Sequence, residues 1–409
     1  MNILVLVWSY LKARPLTTVL NVVLLALGVA VITILVLVTN QFEEKFNSNS
    51  KGIDLVVGAK GSPLQLILCS VFHIDFPTGN IKLSEAEKIA KHRLVKKAIP
   101  MALGDSYSGF RIVGTIKAYP ELYHADLAEG EWWSKTLDVT VGSTAAEHLK
   151  LKLGSTFVSS HGLTADGHEH EAHHYVVTGI LKRSNTVLDN LILTNVESIW
   201  LAHDLMDSAS QVPAHPSSLV PGHEAGDSTR DITTLLIQYR NPLAVIQLPR
   251  YINSRSNLQA AAPAFEIARL FSILGIGADV LRGFAMVLIL ISGLSIFIVL
   301  YNSMKERRYD LAIMRSMGAS RAKLFNAVIL EGTVLTLLGS LSGLALGHGA
   351  MLAFTSLVKE SASSGLQAGI FYPEEAWLLF GSIVLGILCS LLPAIQAYRT
   401  DIHKVLAES

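Results

Sequence analysis

Four apolar stretches of membrane-spanning length constrain the fold of this 409-residue chain more than any other feature. A helix needs about 20 consecutive, mostly apolar residues to cross a bilayer, and each stretch meets that length. The chain is 50% hydrophobic and only 16% charged, which is too apolar for an ordinary soluble protein. The predicted spans are residues 16–39, 283–303, 326–356 and 376–398. We therefore predict an α-helical membrane protein with four transmembrane helices.

Basic residues beside these spans predict their orientation. They precede span one, lie between spans two and three, and follow span four: Lys12, Arg14, Lys305, Arg307, Arg308, Arg315, Arg321, Lys323, Arg399 and Lys404. The positive-inside rule then places both termini in the cytoplasm and the segment between spans one and two outside. The chain carries 33 basic and 33 acidic side chains, so we expect membrane lipid but no nucleic acid as a partner.

The large segment between spans one and two alternates helix-like and strand-like runs. A helix is predicted to begin at Ser84 and to end before Pro100, with Glu87 at capping-box spacing. A second helix is predicted in TAAEHLKLKLG, with Gly154 as its stop. Strand-like runs cover 54–57, 110–119, 137–143, 155–160, 174–181, 190–196 and 233–240. This pattern predicts an α+β extracytoplasmic domain of two small lobes, inserted between helices 1 and 2.

The domain division follows from these runs. Residues 1–40 form an N-terminal cytoplasmic segment with span one, 41–262 the extracytoplasmic domain, and 263–409 a stalk helix with the last three spans. Apolar residues recur at helical spacing after Pro263, so the stalk is predicted to continue directly into span two.

A histidine-rich segment lies between two predicted strands. HGLTADGHEHEAHH contains five imidazoles with interleaved carboxylates: His161, His168, His170, His173 and His174. Short tracts of this composition are typical of Zn²⁺ or Cu²⁺ binding. The spacing matches no closed structural zinc site, so a solvated hairpin tip is the alternative interpretation.

Span three contains two ionisable residues and a regular series of glycines. Ionisable groups inside a membrane are candidate functional residues. For Glu331 we favour an interfacial or helix-contact role, and for His348 a hydrogen bond to a neighbouring helix rather than a proton relay. Gly339, Gly343 and Gly347 occur at every fourth position, a spacing that allows close helix packing and that is common at dimer interfaces.

The segment KERRYDLAIMRSMGASRAKLF, at 305–325, lies between spans two and three. Its apolar positions follow helical spacing, Gly318 is a natural helix stop, and Ser320 can cap the next helix. The ordered series resembles the cytoplasmic loop of FtsX/MacB-type ABC transporter permeases, the mechanotransmitting class known as type VII. Asp310 stands where a glutamate is common in that pattern. The resemblance assigns ATPase coupling to Glu306, Arg307, Arg308, Asp310, Met314, Arg315, Gly318 and Ala319.

The resemblance extends over most of the chain, in the layout of one span, a large outer domain and three further spans. It implies a MacB-like periplasmic core domain, an FtsX-like domain and a location in the bacterial inner membrane. It further implies a homodimer, or a pair with a similar permease, bound to separate ABC subunits that hold ATP and Mg²⁺. A periplasmic partner is consistent with the same layout.

Two common catalytic motifs are absent from the 409 residues. The sequence contains no G-x-x-x-x-G-K-[ST] and no G-x-S-x-G. We therefore expect a non-catalytic permease subunit without a cofactor of its own, Zn²⁺ in the histidine-rich segment aside. ATP hydrolysis in the partner would drive export, or periplasmic handling, of a substrate that is metal-linked if the histidines bind zinc. The alternative is a metal-binding or scaffolding membrane protein with no ATPase partner.

Overall fold

The computed structural model describes residues 3–161, 169–203, 230–357 and 367–399. They form two compact units. The membrane unit comprises Met1–Phe42 and Ile273–Ser409, and the sheet unit comprises Glu43–Ser272. Their helices, in chain order, are α1 Ile3–Ala13, α2 Pro15–Ser50, α3 Pro63–Ser70, α4 Leu83–Ala90, α5 Ala118–Leu122, α6 Ser143–Leu149, α7 Val196–His203, α8 Ala244–Arg255, α9 Pro263–Glu306, α10 Arg308–Ser316, α11 Arg321–Leu357 and α12 Pro373–Arg399.

Four of the described helices, α2, α9, α11 and α12, are long and apolar enough to cross a membrane. Each contains one of the predicted spans, so the number and the positions of the spans were predicted correctly. The helices exceed the predicted spans because α2 has 36 residues and α9 has 44. The predicted stalk and span two form the single helix α9, as expected.

The sheet unit is built on one ten-stranded sheet. Its strands run β12-β1-β11-β3-β4-β9-β6-β8-β5, and β7 pairs with β3 and β8. The small β2 pairs with β10 in a separate ladder. The bounds are β1 Leu55–Ala59, β2 Ile81–Lys82, β3 Val95–Tyr107, β4 Phe110–Gly114, β5 Leu127–Gly130, β6 Asp138–Val141, β7 Thr156–His161, β8 Glu169–Leu181, β9 Leu191–Thr194, β10 Asp231–Ile232, β11 Thr234–Tyr239 and β12 Leu258–Ala261.

The two lobes predicted from the sequence belong to one continuous sheet, because strand β3 takes part in both halves of it. The first half of β3 pairs with β11 and its second half with β4, so the sheet continues from one end of the unit to the other. Successive residues of a strand face opposite sides of a sheet. Leu55 and Val57 accordingly enter one hydrophobic core and Val56 the other. The unit has two cores because both faces of one sheet are covered.

The helix predicted from Ser84 to Pro100 was wrong in its second half. Helix α4 ends at Ala90, and β3 begins at Val95. Residues near Ile99 pair with β11, where Ile99 lies opposite Leu236. Cross-strand pairing with a buried neighbour therefore overrides the local helical pattern of this lysine-rich segment.

Two other boundaries also differ from the prediction. Helix α6 ends at Leu149, because Lys150 adopts the left-handed conformation at φ 54°. The helix therefore ends five residues before Gly154, the residue predicted to stop it. The predicted strand 110–119 ends at Gly114, and α5 follows it from Ala118. In both cases the element type was predicted correctly and the end was misplaced.

Candidate functional site

Helix α10 of the membrane unit is the candidate site, and the motif residues define where it begins and ends. Arg308 opens the helix, and Asp310 lies in its first turn, where a carboxylate favours the helix dipole. At the other end Gly318 has φ +96°, and the Ala319 N–H donates to the Met314 carbonyl over 3.0 Å. This left-handed termination is one that glycine adopts without strain.

The next helix begins as the sequence predicted. The Ser320 hydroxyl accepts a hydrogen bond from the Lys323 N–H at 3.3 Å, and α11 starts at Arg321. The roles predicted for Gly318 as helix stop and for Ser320 as cap are both confirmed.

One face of α10 packs into the membrane unit. Leu311 and Ala312 are buried, and Met314 is partly buried. Leu311 belongs to a cluster with side chains from α9, α11 and α12: Met304, Leu324, Val328, Ala394 and Ala397. A displacement of α10 would therefore disturb apolar contacts with three membrane helices at once.

The opposite face of α10 presents an apolar stripe to solvent. Tyr309, Ile313 and Met317 follow one another at four-residue spacing, so they lie along one side of the helix. They are 49%, 36% and 82% exposed, respectively. We call these three residues the α10 stripe. A helix packed on one side and apolar on the other is a suitable docking surface for a protein.

Of the two residues that precede α10, Arg307 is buried in the chain and Glu306 is exposed. The Arg307 Nη1 lies 3.4 Å from the Glu331 Oε1, with both residues over 90% buried. The Arg307 guanidinium also lies 3.7 Å from the centre of the Tyr10 ring, a cation–π contact. Glu306 forms an ion pair with Arg14. The helix-contact interpretation of Glu331 is thus confirmed, and Arg307 is its partner.

These contacts separate the predicted coupling residues into two groups. Glu306 and Arg307 join the α9–α10 junction to Arg14, to Tyr10 of α1 and to Glu331 of α11. Met314, Gly318 and Ala319 instead shape the end of α10. Asp310 is exposed, and Arg315 lies half-exposed in the last turn. The predicted coupling residues do not include Tyr309, Ile313 or Met317, although the four-residue spacing of the α10 stripe is visible in the sequence.

Gly339, Gly343 and Gly347 pack against α2 of the same chain. A Cβ added at Gly343 would lie 2.6 Å from Val29 Cβ and 2.8 Å from the Ala26 carbonyl oxygen. Equivalent atoms at the other two glycines would lie 2.8 Å from Leu25 and from Thr33. The glycines serve close packing within the chain, so a dimer interface would need another surface.

A second pair of small-residue faces was missed from the sequence. Gly332, Thr336 and Ser340 of α11 meet Ser382, Gly386 and Ser390 of α12. A Cβ on Gly332 would lie 2.9 Å from the Gly386 carbonyl oxygen, and the Ser382 hydroxyl donates to the Ser340 hydroxyl at 3.0 Å. The four-residue spacing of these small residues was the signal that could have revealed them.

His348 forms the hydrogen bond to a neighbouring helix that was expected of it. Its Nε2 lies 3.0 Å from a carboxylate oxygen of Glu375, at the start of α12, and its Nδ1 lies 2.6 Å from the Ala368 carbonyl oxygen. Close by in sequence, the Gln367 backbone exchanges two hydrogen bonds with the Gln41 side-chain amide of α2. Glu375 was not predicted from the sequence as the partner of His348.

The histidine-rich segment falls mostly outside the described residues. His168 lies outside them, as do the side chains of His161, His170 and His173, while His174 is exposed on β8. Elsewhere in the described ranges no group of three or more His, Cys, Asp or Glu side chains could hold a metal ion. Zinc binding by the five histidines stays a prediction.

Two protein-family models match the chain. The MacB-like periplasmic core domain matches residues 18–242, and the FtsX-like permease C-terminal domain matches residues 282–402. The first match alone covers more than half of the 409 residues. Between them the two models include α2, most of the sheet unit, and the membrane helices together with α10.

Individual relatives match shorter stretches. The chain is 27% identical over 129 residues to the uncharacterized ABC transporter permease YknZ of Bacillus subtilis, which covers 32% of this chain and 31% of that protein. It is 23% identical over 167 residues to the macrolide export ATP-binding/permease protein MacB of Escherichia coli, covering 41% and 23%. The chain thus spans about a third or less of the length of these relatives.

Among solved structures, the periplasmic region of MacB from Actinobacillus actinomycetemcomitans aligns with 55% of this chain and 97% of its own. The TM-score is 0.33 and the identity is 10%.

Proposed function

Because the chain belongs to the MacB/FtsX family of ABC transporter permeases, we propose that it couples ATP hydrolysis in a separate ABC subunit to movement of its sheet unit. ATP and Mg²⁺ bind in that partner, and this chain supplies the membrane helices and the extracytoplasmic domain. The α10 stripe is the observation that carries the proposal, since α10 is packed on one side and apolar on the other.

The buried face of α10 explains how a movement of α10 would be transmitted to the membrane helices. Movement of the helix acts directly on α9, α11 and α12 through the Leu311 cluster. The Arg307–Glu331 pair, buried at the junction of α9 and α10, resists separation of this junction from α11. Helix α9 begins at Pro263 in the sheet unit and ends at Glu306, beside α10. A partner bound at the α10 stripe therefore acts on one end of a 44-residue helix.

The described spans favour transmitted motion over conduction through a pore. Several polar residues within them are paired with one another across helices, such as Ser340 with Ser382 and Ser295 with Asn21. A hydrophilic channel needs polar groups that face water instead. We propose export or periplasmic handling of a substrate outside the membrane, with a link to metal if the five histidines bind zinc.

The proposed setting is the bacterial inner membrane, with both termini in the cytoplasm and the sheet unit in the periplasm. We propose that two copies, or one copy with a similar permease, assemble with two ABC subunits, and that a periplasmic protein completes the system. The functional division is the one the sequence predicts, at 1–40, 41–262 and 263–409.

The direct test changes exposed residues of the α10 stripe and leaves the buried face of α10 unchanged. In Ile313→Asp/Met317→Asp, two exposed apolar side chains become charged, so the fold is retained while the docking surface is lost. Tagged full-length chain is purified from its native membranes, and copurifying ABC subunits and ATPase activity are measured. We expect the double variant to lose at least about 90% of both, because charged groups at the centre of an apolar interface are strongly unfavourable.

A matched control applies the same chemistry in the sheet unit. Ile74→Asp/Phe76→Asp also replaces two exposed apolar residues, which are 67% and 53% exposed. This control should retain the copurifying ATPase. If the wild-type chain brings down no ABC subunit, the scaffolding alternative is favoured and the proposed coupling is wrong.

A further inference from the structure

The sheet unit contains a groove that the coupling proposal does not use. It has a volume of about 860 Å³ and lies between α6, the turn that follows it, the end of β8 and the edge strand β5. Pockets of this size commonly accept small molecules or a few residues of a peptide. All of its lining residues belong to the sheet unit, so the groove does not depend on the membrane helices.

One wall of the groove is a single face of α6. Ser143, Ala146 and Glu147 line it, and their spacing places them on the same side of the helix. Lys150, which directly follows the helix, lines the groove beside them. Ser143 is only 8% exposed and Ala146 only 7%, so the exposed part of this wall consists mainly of Glu147 and Lys150.

The rim of the groove is predominantly cationic. Lys150, Lys152, Lys182 and Arg183 line it, together with the two carboxylates of Glu129 and Glu147. Glu147 already pairs with Arg183 at 3.4 Å. The lysines are exposed, and no ion pair is recorded for them in the described part of the chain. The rim therefore has an excess of positive charge that complements an acidic ligand.

The floor is apolar and one side is a strand edge. Leu151, Leu153 and Ile180 line the floor. Strand β5 pairs with β8 on one side, and no described strand pairs with its other side. A free strand edge offers backbone hydrogen bonds to an extended segment, whereas a lipid chain cannot use them. The edge thus favours a peptide over a fatty acid.

We propose that this groove binds an extended peptide segment of an extracytoplasmic partner protein, in which apolar and acidic residues alternate. Apolar side chains of the segment lie on Leu151, Leu153 and Ile180, and its carboxylates meet the lysines. The inference concerns a partner of the sheet unit and does not rest on docking at α10.

The test is peptide binding to full-length protein in lipid nanodiscs without nucleotide. The probe is a fluorescein-labelled peptide, Gly-Glu-Val-Asp-Leu-Glu-Val-Gly, followed by fluorescence anisotropy. We expect saturable binding that weakens with added salt, because exposed charges contribute to it. Lys152→Glu/Lys182→Glu should weaken binding by about tenfold or more, since it reverses two complementary charges.

Matched controls identify the groove as the site. Lys88→Glu/Lys96→Glu makes the same charge change at exposed positions outside the groove and should bind like wild type. The same peptide with lysine in place of its acidic residues should not bind. The proposal is overturned by no saturable binding, by equal losses in both double variants, or by laurate that displaces the peptide and binds more tightly. ATPase copurification is a separate measurement, so either proposal can fail alone.

Discussion

Each unit of the molecule holds a histidine away from solvent, and the two rings meet different neighbours. In the sheet unit the His73 Nε2 lies 2.9 Å from the Tyr119 hydroxyl, and the charge of Arg111 acts on the ring. Burial, and then that positive charge, lower the pKa of His73 to about 3. In the membrane unit His348 instead lies 3.0 Å from the Glu375 carboxylate. The first environment disfavours a protonated ring, whereas in the second a carboxylate faces the ring.

The same contrast extends to other buried polar groups. The sheet unit satisfies Arg111 with the Asp75 carbonyl oxygen and the Cys69 sulfur, which are uncharged acceptors. The membrane unit pairs Arg307 with the carboxylate of Glu331. Within a membrane no water solvates an isolated charge, so a buried charged group is stabilised by an oppositely charged partner. Charge pairing in the membrane unit and neutral burial in the sheet unit therefore predict different responses to mutation and to pH.

The largest effect on stability is expected from Arg307→Ala, which leaves the buried Glu331 without its ion-pair partner. Removal of one partner of a buried ion pair commonly costs about 3–5 kcal/mol. We expect a large drop in the temperature at which detergent-purified protein stops eluting as a single species. Arg307→Leu/Glu331→Leu should recover most of that loss, because it leaves no unpaired charge. An equal loss in the double variant would show that packing, and not charge pairing, holds this junction.

The next effect concerns the close approach of α11 and α2. Gly343→Leu places a side chain where a Cβ alone would lie 2.6 Å from Val29. We expect destabilisation of about 3 kcal/mol, the upper end of the usual cost of overpacking. Gly349→Leu is the matched control, since nothing lies within 4 Å of a Cβ there. Thermal denaturation of both variants in one detergent gives the comparison, and similar losses would contradict the assigned packing.

The smallest effect is the pH response of the sheet unit. The pKa of His73 is about 3 in the folded protein against an ordinary value of 6.5, so below pH 6.5 the unfolded chain binds one more proton. Stability should fall as the pH drops from 6.5 towards 3, by about 1–2 kcal/mol by pH 5. Guanidinium unfolding of the full chain, followed by Trp fluorescence, measures it, because Trp133 shares a core with Tyr119.

Two variants test the assignment of that response to His73. His73→Gln should remove the dependence between pH 6.5 and 5, whereas His148→Gln, at an exposed position of α6, should leave it unchanged. A slope that survives in His73→Gln would mean that another group titrates, and the contrast between the two histidines would lose its support.

The membrane helices and α10 were predictable because their signals are local. A span is recognised from a run of about 20 apolar residues. Gly318 and Ser320 act on their own neighbours, so the ends of α10 and α11 could be placed from sequence. The helix-contact roles of Glu331 and His348 followed from the cost of an isolated charge in a membrane.

What could not be predicted depends on partners distant in sequence. The identity of Glu331's partner required the fold of α9 and α10 against α11. The local sequence of residues 95–99 predicts a helix. These residues form a strand because they pair with β11, which lies more than 130 positions later in the chain. The glycine series of span three indicated close packing, but the pattern alone cannot distinguish α2 of the same chain from a second copy.

The central claim is that the α10 stripe contacts an ABC subunit, and site-specific photo-crosslinking tests it most directly. A benzoyl-phenylalanine is placed at Ile313 or Met317 of the full chain in native membranes. A control places it at Leu357, which is 80% exposed at the far end of α11. We predict a crosslink to the ATP-binding subunit from 313 and 317 and none from 357. No crosslink from either stripe position, with the complex intact, would contradict the account.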